Sequence, residues 1–82
     1  MTSATASGQV PAMKASSSVD VVLDWGGAQF VDTAYAVSVS LSTSLKGKVT
    51  YTKVNTLTST TVTFTALADV AGGPISALAY AF

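Results

Sequence analysis

The stretch 30-FVDTAYAVSVSL-41 carries the clearest strand pattern in the chain. Tyr35, Val37, Val39 and Leu41 are apolar and fall two apart, with Ser38 and Ser40 between them. Side chains alternate across a strand, so this spacing gives one face to a core and one to water. Phe30 leads through the polar step Asp32-Thr33 into the run.

Weaker copies of the same alternation flank it. Ser18–Asp24 places Val19, Val21 and Leu23 on one face and Asp20, Val22 and Asp24 on the other. Gly26-Gly27 then breaks the strand, because paired glycines take positive φ without steric cost. Lys48–Val54 sets Val49 and Tyr51 against Thr50, Thr52 and Val54, and Thr60–Ala66 aligns Val62, Phe64 and Ala66. After Gly72-Gly73-Pro74, the run Ile75–Phe82 places Leu78, Tyr80 and Phe82 on a large face and Ala77, Ala79 and Ala81 on a small one. Helical periodicity and capping boxes are missing throughout. Short strands at this spacing predict an all-β fold: a small antiparallel β-sandwich of about six strands. Its expected core is Tyr35, Val37, Val39, Leu41, Val62, Phe64, Leu78 and Tyr80.

Residues 1–17 are dominated by Ser, Thr, Ala and Gly, and Pro11 interrupts them. That composition predicts an extended N-terminal arm, with the sandwich over residues 18–82. About 65 residues then build the core, and a core of that size supplies only ~3–5 kcal/mol. With no Cys and no His, neither a disulfide nor a zinc or iron–sulfur site can reinforce it. The four Asp are scattered and concentrate no cation ligands. No cofactor is expected, and oligomerisation is the remaining support. A closing strand apolar on both sides suits burial on both sides. The Ala77, Ala79, Ala81 face and the arm are therefore the expected contacts with neighbouring subunits.

Four Lys balance four Asp, and only 10% of residues are charged, against about 25% in ordinary soluble domains. Such a surface associates readily. Lys46, Lys48 and Lys53 read as solvated strand ends rather than the basic patch of a nucleic-acid binder. No apolar stretch is long enough for a transmembrane helix, and the N-terminus lacks the basic start and apolar run of a signal peptide.

Catalytic constellations are missing as well. Ser and Thr are plentiful but have no His beside them and no Ser-x-x-Lys spacing. Asp20 and Asp24 share a strand face and read as a solvated edge rather than a catalytic pair. An enzyme is not expected. Trp25, next to Asp24, is either a plug at the edge of the core or an exposed aromatic.

The order of these features resembles the H-type lectin fold and the similar tip domains of bacteriophage tail fibres. The likeness rests on Phe30, the Asp32-Thr33 step, Tyr35-x-Val37-x-Val39, then Val49-x-Tyr51, then 60-TTVTFTAL-67 and the closing 75-ISALAYAF-82. Val62 stands where the family usually has Gly, and Tyr80 where it usually has Trp. The resemblance implies a six-stranded sandwich that trimerises, carried on a virion and used in host attachment by binding glycan near subunit junctions. Aromatic rings with carboxylates can stack on and hydrogen-bond a sugar, so Asp24, Trp25 and Tyr80 are the expected ligand residues. The alternative is a purely structural capsid decoration or minor coat protein without a ligand. The implied partners are further copies of the chain, other virion proteins and host surface glycan, without nucleic-acid binding or membrane insertion.

Overall fold

The computed structural model describes residues 2–27 and 30–81. Six strands cover them: β1 (Ser3–Val10), β2 (Ser18–Asp24), β3 (Ala36–Leu41), β4 (Val49–Asn55), β5 (Ser59–Ala66) and β6 (Gly73–Tyr80). They form two three-stranded antiparallel sheets, ordered β1-β6-β3 and β2-β5-β4. No helix occurs among the described residues, so the all-β sandwich is the fold.

Of the four strands expected between Ser18 and Ala66, β2, β4 and β5 form within a residue of the expected bounds, whereas β3 begins only at Ala36 and residues 30–35 are its non-strand approach. On β5, Val62 and Phe64 are fully buried and Ala66 nearly so, each facing the other sheet. Val21 and Leu23 join them from β2, with Tyr35 and Val37 from the approach to β3 and its first turn of chain. Val39 and Leu41 pack against this cluster half-buried.

Two expectations change. Residues 3–10 are not a free arm. They are β1, paired along its full length with β6 from Ser3↔Tyr80 to Val10↔Gly73. Their composition hides a two-residue alternation. Ser3, Thr5, Ser7 and Gln9 face water, while Ala4, Ala6, Gly8 and Val10 face inward. Gly8 lies so close to β2 that a Cβ there would come within 2.9 Å of Val21 Cγ1. The small residues that look like a linker are what lets β1 reach the other sheet.

The second change is the orientation of β6. Ile75, Ala77 and Ala79 are buried, whereas Leu78 is 42% exposed and Tyr80 half-buried on the outer face. The alanines line the core, and the expected large face points outward; Phe82 lies outside the described residues. Ile75 and Ser76 account for the choice. They fall on opposite faces, and burying the even-numbered set would sacrifice Ile75 and desolvate Ser76.

Loops seal both ends of the sandwich. Leu45 from the β3–β4 loop is fully buried at one end, near Met13 and Val70, whose backbones bond each other at 3.0 and 2.9 Å. Gly72 in the β5–β6 loop has φ +85°, and a Cβ there would collide with the backbone carbonyl of Val10. Only glycine fits where that loop crosses the end of β1.

Phe64→Ala should cost about 3–5 kcal/mol, lowering Tm by more than about 10 °C in a domain this small. Gly8→Val should cost about 1–3 kcal/mol through the clash with Val21. Deleting residues 2–10 should abolish the cooperative transition altogether, because it uncovers one edge of β6. Thermal melts followed by circular dichroism check all three.

Candidate functional site

Trp25 is 3% exposed, which makes it the core-edge plug. Its indole N–H points between two hydroxyl oxygens, 3.2 Å from Tyr35 Oη and 3.1 Å from Thr60 Oγ1. Tyr35 Oη donates toward the carbonyls of Thr56 (2.7 Å) and Ser59 (2.9 Å). Thr60, itself fully buried, donates to Asn55 Oδ1 at 3.0 Å. Asn55 Nδ2 in turn reaches the carbonyls of Thr33 and Tyr35, both at 3.0 Å. The ring of Tyr35 stacks on that of Phe30 at 3.9 Å. This network ties the β2–β3 connection to the β4–β5 turn. No buried side-chain N or O among the described residues lacks a partner.

The expected ligand set therefore does not assemble as one exposed platform. Asp24 lies at the surface, and its Oδ1 accepts the Gly26 N–H at 2.8 Å, which shapes the turn after β2. Trp25 turns inward with its N–H already engaged. Tyr80 sits on the outer face of the other sheet, opposite Ser3 and Ala36. Ala77 and Ala79 cannot meet a neighbouring subunit, since they are 6% and 0% exposed in the core. Ala81 packs partly against the core, and its N–H donates to Thr2 O at 2.9 Å.

The exposed surface with the most distinct chemistry is the outer face of β1-β6-β3. Register places its residues in rows across the three strands: Ser3–Tyr80–Ala36, Thr5–Leu78–Ser38 and Ser7–Ser76–Ser40. The central strand contributes Leu78 and Tyr80, while both flanking strands contribute short side chains. A depression of about 650 Å³ lies over the two Ser- and Thr-rich rows, with Leu78 at its wall. Every residue in these rows is uncharged. The other sheet differs. Its outer face carries Asp20, which accepts a 2.7 Å bond from Thr63 Oγ1, and Asp24. Where the sandwich is open between β3 and β4, Lys53 Nζ donates across it to Val37 O at 2.7 Å.

Rotating hydroxyls around a leucine form a surface that loses water without stranding a charge and can donate or accept as a partner requires. The signal for it lay in the S-x-T-x-S alternation of residues 3–7, obscured by the low hydrophobicity of the intervening Ala residues. Among the described residues no three His, Cys, Asp or Glu gather to hold a metal ion, and no helix is long and apolar enough to cross a membrane. Compared with family models, with curated proteins and with solved structures, the chain matches none.

Thr60→Val keeps the shape of the side chain and removes its hydroxyl. It should cost about 1–3 kcal/mol, because the Trp25 N–H loses one acceptor and Asn55 its donor. Urea unfolding gives the magnitude, and the indole N–H resonance should shift with it.

Proposed function

We propose that this chain is a structural β-sandwich module of a virion surface assembly of the bacteriophage tail-fibre or spike type, built as a homotrimer through the outer face of β1-β6-β3. The observation that carries the proposal is that face: it is free of charge over three strands, yet leaves Leu78 42% exposed at its centre. The cores of protein interfaces are depleted in charge in the same way. Three such faces can meet around an axis with Leu78 and Tyr80 toward the centre. The short residues of β1 in one subunit then lie close to those of β3 in the next. The likeness of 30-FVDTAYAVSVSL-41 and 60-TTVTFTAL-67 to H-type lectins and tail-fibre tips supports both the three-fold symmetry and the virion setting.

Attachment to host glycan is the wider role this likeness brings. With Trp25 committed to the core and Tyr80 turned toward the trimer axis, sugar recognition falls to exposed groups such as Asp24, next to whatever a neighbouring subunit supplies. A purely structural role, as a capsid decoration or minor coat protein, uses the same trimer face and needs no ligand.

Leu78→Lys places an unpaired charge in the proposed contact and should convert trimer to monomer with the fold intact. Ala79→Lys, one residue on, should instead unfold the chain. Analytical ultracentrifugation with circular dichroism separates the two outcomes. A wild-type monomer at high concentration, or a Leu78→Lys variant of unchanged mass, would count against the trimer. A glycan array of the wild-type protein decides between attachment and a purely structural role.

A further inference from the structure

The charges excluded from the β1-β6-β3 face are not spread evenly over the rest of the molecule. The sandwich measures 38 × 18 × 18 Å, and its long axis is the strand direction, since eight residues of strand span about 26 Å. At one end lie the loops 11–17, 42–48 and 67–72, which join β1 to β2, β3 to β4 and β5 to β6. They carry Lys14, Lys46, Lys48 and Asp69, with Asp69 3.6 Å from Lys14. Three lysines and one aspartate give this end a net charge of +2. At the other end, where β2 finishes and the chain approaches β3, lie Asp24 and Asp32, a net charge of −2. Asp20, two residues from the basic-end start of β2, and Lys53, two residues from the acidic-end finish of β4, stand within strands and each partly offsets the charge of its nearer end.

Each end also exposes apolar side chains next to its charges. At the acidic end Val31 is 97% and Leu57 49% exposed. The Phe30 N–H donates to Leu57 O at 3.2 Å, which brings Val31 and Leu57 into one region. At the basic end Leu67 is 61% exposed, and its N–H donates to Lys48 O at 2.8 Å. The two aspartates are held in place by their turns, Asp24 through the Gly26 N–H and Asp32 through the Ala34 N–H, both at 2.8 Å. Opposite charge thus accompanies exposed aliphatic surface at the two ends of one rod.

We infer that a second copy of this chain docks end to end, the Asp24/Asp32 end of one molecule on the Lys14/Lys46/Lys48 end of the next. The contact is heterologous and leaves a free end of each kind, so it propagates as a linear stack along the strand axis rather than closing. One molecule offers few charges, and a single contact is weak and transient. A parallel trimer presents three contacts at once, and their joint engagement strengthens the stack. Trimer formation and stacking are distinguishable because the trimer face is uncharged. Its mass step should be the same at all salt concentrations, whereas end-to-end docking fades as the screening length falls from about 30 Å at 10 mM salt to about 3 Å at 1 M.

The test is sedimentation velocity of three proteins at both salt concentrations: wild type, Lys46→Asp/Lys48→Asp and Asp24→Lys/Asp32→Lys. Wild type at low salt should form a concentration-dependent series, with a weight-average mass at least about twofold that at high salt. Each variant alone has two ends of like sign and should stay at its high-salt mass. An equimolar mixture of the two variants restores opposite ends and should recover the wild-type series. Because Asp24 and Asp32 each hold a turn, Val31→Lys/Thr58→Lys cancels the acidic end with both turns intact. That variant should also fail to stack while melting as wild type does. The inference is overturned by a wild-type mass that does not respond to salt, by a mixture that stays dissociated, or by a folded Lys46→Asp/Lys48→Asp variant that still stacks.

Discussion

The structure depends on an unequal pairing of two inner faces. The β2-β5-β4 sheet presents Val21, Leu23, Val62 and Phe64, all deeply buried, whereas the β1-β6-β3 sheet answers with Ala4, Ala6, Gly8, Ala77 and Ala79 alongside Val10, Ile75 and Val37. A sandwich core is about 10 Å thick and packed as densely as an organic crystal. Large side chains on one sheet therefore require small ones on the other. That requirement makes a strand of a segment composed like a linker, and it turns the alanines of β6 inward. Once they face inward, Leu78 and Tyr80 must face out, so the composition of the core creates the exposed apolar centre of the outer face.

A second constraint acts at the ends and along the open flank, where two sheets of three strands cannot cover each other with apolar groups alone. Trp25, Tyr35, Thr60 and Asn55 satisfy one another there, and Lys53 and Asn55 cap carbonyls along β3 and its approach. Hydrogen bonds contribute little net stability each, but a buried donor left without an acceptor costs more than a bond adds. Their main effect is geometric. They fix the β2–β3 connection against the β4–β5 turn, and with it the position of Asp24, Asp32, Val31 and Leu57 at one end of the rod.

Charge completes the division of the surface. The outer face of β1-β6-β3 has none, the outer face of the other sheet carries Asp20 and Asp24, and the remaining charges other than Lys53 concentrate in the loops. A domain with so small a core gains from covering its uncharged face with copies of itself. Ends of opposite sign add a direction along which such assemblies can grow.

The sequence by itself determined the strand class, the lack of helical periodicity and half of the expected core. Tyr35, Val37, Val62 and Phe64 stand out because large apolar residues alternate with polar ones, a signal local to each strand. It also showed that no Cys or His could reinforce the fold. It left the buried face of β6 misread, because Leu, Tyr and Ala are all apolar; Ile75 and Ser76 favour the odd-numbered face, and the volume of the opposing sheet requires it. For the same reason β1 was illegible: Ala4, Ala6 and Gly8 are core residues only when Val21 and Leu23 stand across from them. The exposed face and the two charged ends are further apart still in sequence. Thr5 meets Leu78 and Ser38, and Lys14 joins Lys46 and Lys48, only through antiparallel pairing and crossover between sheets. Those contacts are long-range, so the tertiary structure alone decided them.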